Sequence, residues 1–256
     1  VAVVLGAATA VALTGAAQPA KPVTVPMPNL EFMPNGGFTP QVLSKSAPTP
    51  IALTVSAKVG NADGTHPPAL RELAIGLDKN MAIDLRGYPA CRGLGAQVNP
   101  PMAPQEECRG AFIGKGTVHI EIHFEETEPI QVQSGLQIFN LGRKEGVPTF
   151  VALAHIAVPT PALIAITIKI EKIQNGRYGS EATITFPKIA GGNGSITHLD
   201  LRIKKQLPFD DQRFSPVTAR CPAGELLLHD TATFFNYETS ETLYASSTLP
   251  RTCTGR

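Results

Sequence analysis

His119, Glu121 and His123 alternate as H-x-E-x-H, the one cluster of metal-ligand side chains in the chain. Imidazole and carboxylate together suit zinc, and a carboxylate beside a bound metal could act as a general base. The spacing argues against a site made by this run alone. On an extended chain, same-face residues two apart are separated by about 6.6 Å, which puts the histidines about 13 Å from each other. One His–Glu pair could hold an ion only with ligands from elsewhere, and His155, His198 and His229 are the available donors. The plainer reading is a solvated polar face that runs into the acidic turn of Glu125, Glu126 and Glu128. On that reading there is no catalytic, cofactor-binding or metal-binding residue to assign.

The four cysteines carry the other recognisable chemistry. Cys91, Cys108, Cys221 and Cys253 permit three pairings, and none sits at the two-to-four-residue spacing of zinc ligand pairs. The nearest-neighbour scheme is expected, Cys91–Cys108 closing a proline-rich excursion and Cys221–Cys253 tying back the C-terminal region. Two glycine-rich stretches, Gly114-Lys-Gly116 and Gly191-Gly-Asn-Gly194, lack the strand-to-helix context of a phosphate loop. They read as a bulge and a hairpin turn. No serine lies in a G-x-S-x-G elbow. The expectation is a protein that is not an enzyme and needs no cofactor.

The elements that must position these residues are strands. Val118, Ile120 and Ile122 alternate with the polar triad, so the apolar residues face a core and the triad faces outward. Ile166, Ile168 and Ile170, then Ala182, Ile184 and Phe186, then Leu199, Leu201 and Ile203 repeat the pattern around Asn175-Gly176 and Gly191–Gly194. Those three runs predict an antiparallel meander. Further strands are expected at 51–58, on both sides of Lys79-Asn80, at 130–139, 149–158, 225–235 and 243–248. A helical turn is expected near Gln105–Glu107. Residues 150–170 are almost continuously apolar and are divided by Pro159 and Pro161, which predicts two buried strands over one helix. ELAIGLDK at 72–79 resembles HLDLRIKK at 198–205, a faint duplication that would make two similar halves. The fold class expected is all-β, an antiparallel β-sandwich over residues 51–256.

The first 50 residues read differently. The apolar run Val1–Leu13, followed by Gly15, Ala16 and Ala17, matches the core and cleavage region of a secretory signal peptide over residues 1–17. It is too short to span a bilayer, which takes about 20 residues. Residues 18–50, rich in proline, are expected to form an extended leader. Lys plus Arg number 22 and Asp plus Glu 21, so the chain lacks the basic surface a nucleic-acid binder needs. With no tryptophan and four tyrosines, stacking platforms for sugars or bases are scarce.

LTVSAKVGNADGTHPPALRELAIGLDKN, the C-R-G-A-F-I-G-K-G stretch at 108–116, NGRYGSEATITFPKIAGGNGSITHLDLRIKK and ARCPAG at 219–224 form ordered blocks. Over about residues 45 to 253 they resemble uncharacterised exported proteins of actinobacteria. The resemblance implies a signal peptide, the same order of strands, a cysteine at each of these places and no assigned activity. The function expected is an extracellular or cell-envelope protein, non-catalytic, that binds a surface partner or serves a structural role. Two alternatives are a carrier of an apolar ligand between two sheets and a secreted metal-dependent hydrolase built on the polar strand. Neither a nucleic-acid partner nor a membrane span retained after signal cleavage is expected.

Overall fold

The computed structural model describes residues 29–92, 106–204, 207–209 and 212–256. The expected signal segment, residues 18–28 of the leader and most of the Cys91–Cys108 excursion lie outside them. Strands follow in the order β1 (Leu30–Thr39), β2 (Val42–Leu43), β3 (Thr49–Pro50), β4 (Ala52–Asn61), β5 (Ala69–Asp78) and β6 (Met81–Ile83). After a 3₁₀ turn at Glu106–Ala111 come β7 (Phe112–Ile122), β8 (Ile130–Lys144), β9 (Val147–Ile156), β10 (Ala162–Asn175) and β11 (Tyr178–Thr185). A second 3₁₀ turn at Ala190–Gly192 leads to β12 (Gly194–Ile203), β13 (Leu207–Phe209), β14 (Gln212–Phe214) and β15 (Val217–Ala219). The chain closes with β16 (Glu225–Asn236), β17 (Glu241–Thr252) and β18 (Thr254–Gly255).

The all-β, antiparallel expectation holds, but the sheet does not split into two layers. Eleven strands form one continuous sheet, β1-β4-β12-β7-β8-β9-β10-β11-β5-β16-β17, that curls until it nearly closes as a barrel. Alternation reports only that each strand has one buried face, a condition that a sandwich and a barrel meet equally. The predicted meander is half right. β10 and β11 pair as a hairpin, but the second neighbour of β11 is β5, and β12 lies between β4 and β7. The segment at 186–193 is therefore a crossover between distant strands, not a hairpin turn.

Part of the proline-rich stretch expected as an extended leader joins the sheet as β1. Leu30 and Phe32 are buried between exposed Glu31 and Met33, and β1 pairs with β4 along its whole length. Pro34 is tolerated there because β1 is an edge strand, whose outer N–H groups have no ladder to join.

Every neighbouring pair in the large sheet is antiparallel, and eleven is odd, so β1 and β17 run in the same direction where they meet. The alternation cannot continue across that seam, and no ladder joins the two strands among the described residues. Arg251 bridges it instead. Its Nε donates to the Gly36 carbonyl, and one terminal nitrogen donates to Asn35 Oδ1 at 2.6 Å.

The interior is a single apolar core. Val118, Ile120 and Ile122 are buried inside it as expected, with Ile166, Leu199 and Phe234. A second small cluster on the outer surface, Phe139, Val151 and Leu153 with the Cys91–Cys108 pair, covers the other face of β8 and β9. That explains the apolar run through β9, which is buried on both sides over Thr149–Ala154. Gly114 and Gly116 lie where β7 packs tightly against β12. A Cβ at either would collide with the carbonyl oxygen of Arg202 or Asp200.

Cys91 pairs with Cys108 and Cys221 with Cys253, at Cα separations of 4.9 and 6.1 Å. Both bridges staple the end of the barrel at which β7 and β16 begin. Replacing Cys91 and Cys108 with alanine should lower the unfolding free energy by about 3 kcal/mol, the loop-closure value for this span. Urea denaturation with an unchanged midpoint would contradict that.

Candidate functional site

The opposite end gathers five connections: residues 62–68, 123–129, 157–161, 186–193 and 237–240. The polar triad expected on β7 lies at this end, and pairing gives it unexpected neighbours. Ser195 of β12 stands opposite Glu121, and Gln131 of β8 opposes Glu121 on the other side. Opposed residues share a face, so all three project outward, where His66 of the 62–68 connection folds over them.

The result is a hydrogen-bonded row. His66 Nδ1 is 2.7 Å from Glu121 Oε1, and His66 Nε2 is 3.1 Å from Ser195 Oγ. Glu121 Oε2 accepts from Gln131 Nε2 at 2.7 Å. His123 stacks on His66 with ring centroids 5.6 Å apart, and its buried Nδ1 has no protein partner. A cavity of about 50 Å³ adjoins the row, bordered by His66, Pro67, His123, Asn193, Tyr237 and Glu238. Tyr237 is held by Arg71, whose guanidinium donates to its hydroxyl at 2.6 Å, and by Lys188, whose ammonium lies 4.4 Å from its ring centre.

Serine, histidine and carboxylate in that order are the parts of a nucleophile activated by an oriented base. Three features set this row apart from a working one. Ser195 is 1% exposed. Its single hydroxyl proton has a shorter acceptor than the histidine, the Pro67 carbonyl at 2.6 Å. With the proton there, the hydroxyl does not donate to His66, and the serine-to-base hydrogen bond of an activated nucleophile is not made. Finally, the nearby N–H groups of Gly192, Asn193 and Gly194 are all spent on the carbonyls of Ile189 and Ala190, leaving that turn with no donor for an oxyanion. As built, the row pins the 62–68 connection to the sheet.

The remaining expected donors divide. His198 lies directly across from His119, with ring centroids 5.2 Å apart. His155 and His229 are elsewhere: the carbonyl of the first accepts from Ser134 Oγ at 2.6 Å, and the ring of the second lies 3.1 Å from Thr248 Oγ1. His66 and Ser195 are invisible from sequence as neighbours of Glu121: 129 residues separate them, and they meet only because the β12–β7 register sets Ser195 opposite Glu121 and the 62–68 connection folds over both. Among the described residues, no three His, Cys, Asp or Glu side chains converge as a metal site.

No family model, no curated protein and no solved structure matches this chain.

Proposed function

We propose that the protein works outside the cytoplasm as a non-catalytic binding or structural module that acts through its outer surface. The observation that carries this reading is the filled barrel. An apolar void inside it, between residues such as Leu53, Leu77, Phe150, Ile168 and Leu201, is about 40 Å³. A small-molecule site commonly needs about 300 Å³ or more. A void of that size has no room for a lipid, which weighs against the carrier alternative. The Ser195 geometry weighs against hydrolysis.

The extracellular assignment is supported by the two disulfides, by the signal-like run at 1–17 and by the resemblance to exported actinobacterial proteins. No helix among the described residues is long and apolar enough to cross a membrane. The barrel has its apolar side chains inside and residues such as Lys169, Glu171, Asp200 and Arg202 outside. That is the reverse of a lipid-embedded barrel. The partner on this reading is an extracellular or cell-surface molecule.

A fluorophosphonate probe tests the non-catalytic part. It should leave Ser195 unlabelled in folded protein. Labelling lost in Ser195→Ala, together with ester hydrolysis lost in His66→Gln, would overturn it. N-terminal sequencing of native material tests the export part, with a start near Gln18 expected and an intact Val1 counting against it.

A further inference from the structure

We propose that His119 and His198 together bind a divalent transition-metal ion, zinc or copper(II), on the outer face of the barrel. The two residues face each other across the β7–β12 pair, in the interior of the sheet. Their rings are 5.2 Å apart between centroids and inclined by 23°. Zinc binds imidazole nitrogen at about 2.0–2.1 Å, so it lies about 3.2 Å from the ring centre. Two rings on one tetrahedral ion then have centroids about 5.2 Å apart. The β7–β12 register holds the two side chains side by side; the rings lie stacked, and turning about χ1 and χ2 brings one nitrogen of each onto a shared ion.

Availability separates this pair from its neighbour. The His66–His123 rings are similarly close, but both nitrogens of His66 are committed to Glu121 and Ser195. Among the described residues, neither His119 nor His198 has a hydrogen-bond partner on its ring. The surrounding charges on that face are Lys58 beside His198, Asp200 two residues along β12, and Glu121 two residues along β7. Glu121 is tied up by His66 and Gln131, so the ion has two protein ligands and water in its open positions. Imidazole favours zinc and copper over magnesium or calcium, which take oxygen ligands. Such a site is a half-buried, exchangeable one on the outer face that the fold does not need. It differs from the closed four-ligand centres that hold small domains together.

Calorimetric titration of the folded full chain with zinc chloride tests this directly. One equivalent should bind, and His119→Gln and His198→Gln should each weaken binding by at least about tenfold. Loss of an outer-shell partner alone commonly costs 10–100-fold, and a lost ligand should cost no less. The double variant should be little weaker than either single, because one remaining imidazole no longer chelates. His155→Gln should bind like the unaltered protein. Both singles replace outward-facing side chains, so their thermal unfolding midpoints should match the parent, separating lost binding from lost folding. Absence of zinc binding in the parent, full binding in the double variant, or an equal loss in His155→Gln would overturn the proposal.

Discussion

Asp78→Ala should lower the unfolding free energy by about 3 kcal/mol or more, the cost of stripping a fully buried carboxylate from the donors it satisfies. The carboxylate is fully buried at the end of β5 and collects four donors. Oδ1 accepts from the Asn80 backbone N–H and side-chain Nδ2, both at 2.9 Å. Oδ2 accepts from Arg177 Nε at 2.6 Å and from the Leu227 N–H at 3.1 Å. One side chain thus ties β5 to the turn before β6, to the β10–β11 hairpin and to the start of β16. Alanine would leave those donors to water or unpaired, and each unpaired buried donor costs about 1–3 kcal/mol. The ion pair also raises the pKa of Arg177, through the hydrogen bond to Asp78 first. Asp78→Asn, which keeps the shape and loses the charge, should fall between parent and alanine in urea denaturation. A loss below about 1 kcal/mol for alanine would show that the network is dispensable.

The protein should also become less stable as pH rises from about 4 to about 7, opposite to the usual effect of a paired carboxylate. Asp230 points into the barrel from β16 and is 4% exposed. Burial pushes its pKa up to about 7, and the Ser247 hydroxyl and the Arg251 charge only partly oppose that. The folded state therefore holds a proton that the unfolded state releases near pH 4. Stability is greatest below the unfolded value, falls through the window between the two and levels off above about 7. The size is about 4 kcal/mol at this one residue, from the pKa difference. Asp230→Asn should remove that slope, so its stability relative to the parent should rise by about that amount between pH 4 and pH 8. Equal pH slopes in chemical denaturation of the two proteins would refute the assignment. The group sits near the β1–β17 seam, and ionising it places a charge beside Arg251, the residue that spans the seam.

Local patterning was enough for the long strands other than β1. The alternation at Val118–Ile122, Ile166–Ile170 and Leu226–Phe234 marks one buried face on each, because period two is a property of the extended backbone itself. The Cys91–Cys108 and Cys221–Cys253 bridges follow from short separations in the chain, and the 3₁₀ turn at Glu106–Ala111 lies close to where a helical turn was expected.

What the pattern leaves open is which strands are neighbours. A strand with one apolar face is equally satisfied beside many others, so the choice rests on long-range packing. Tertiary structure placed β12 between β4 and β7 instead of beside β11. It also drew Leu30–Thr39 into the sheet and left one curled layer in place of two. The polar triad shows the consequence most clearly. Its residues are written together in the chain, but what they can do depends on partners brought by that placement. Glu121 is held by His66 and Gln131, and His119 faces His198, because pairing fixes what lies across a strand while sequence fixes only what lies along it.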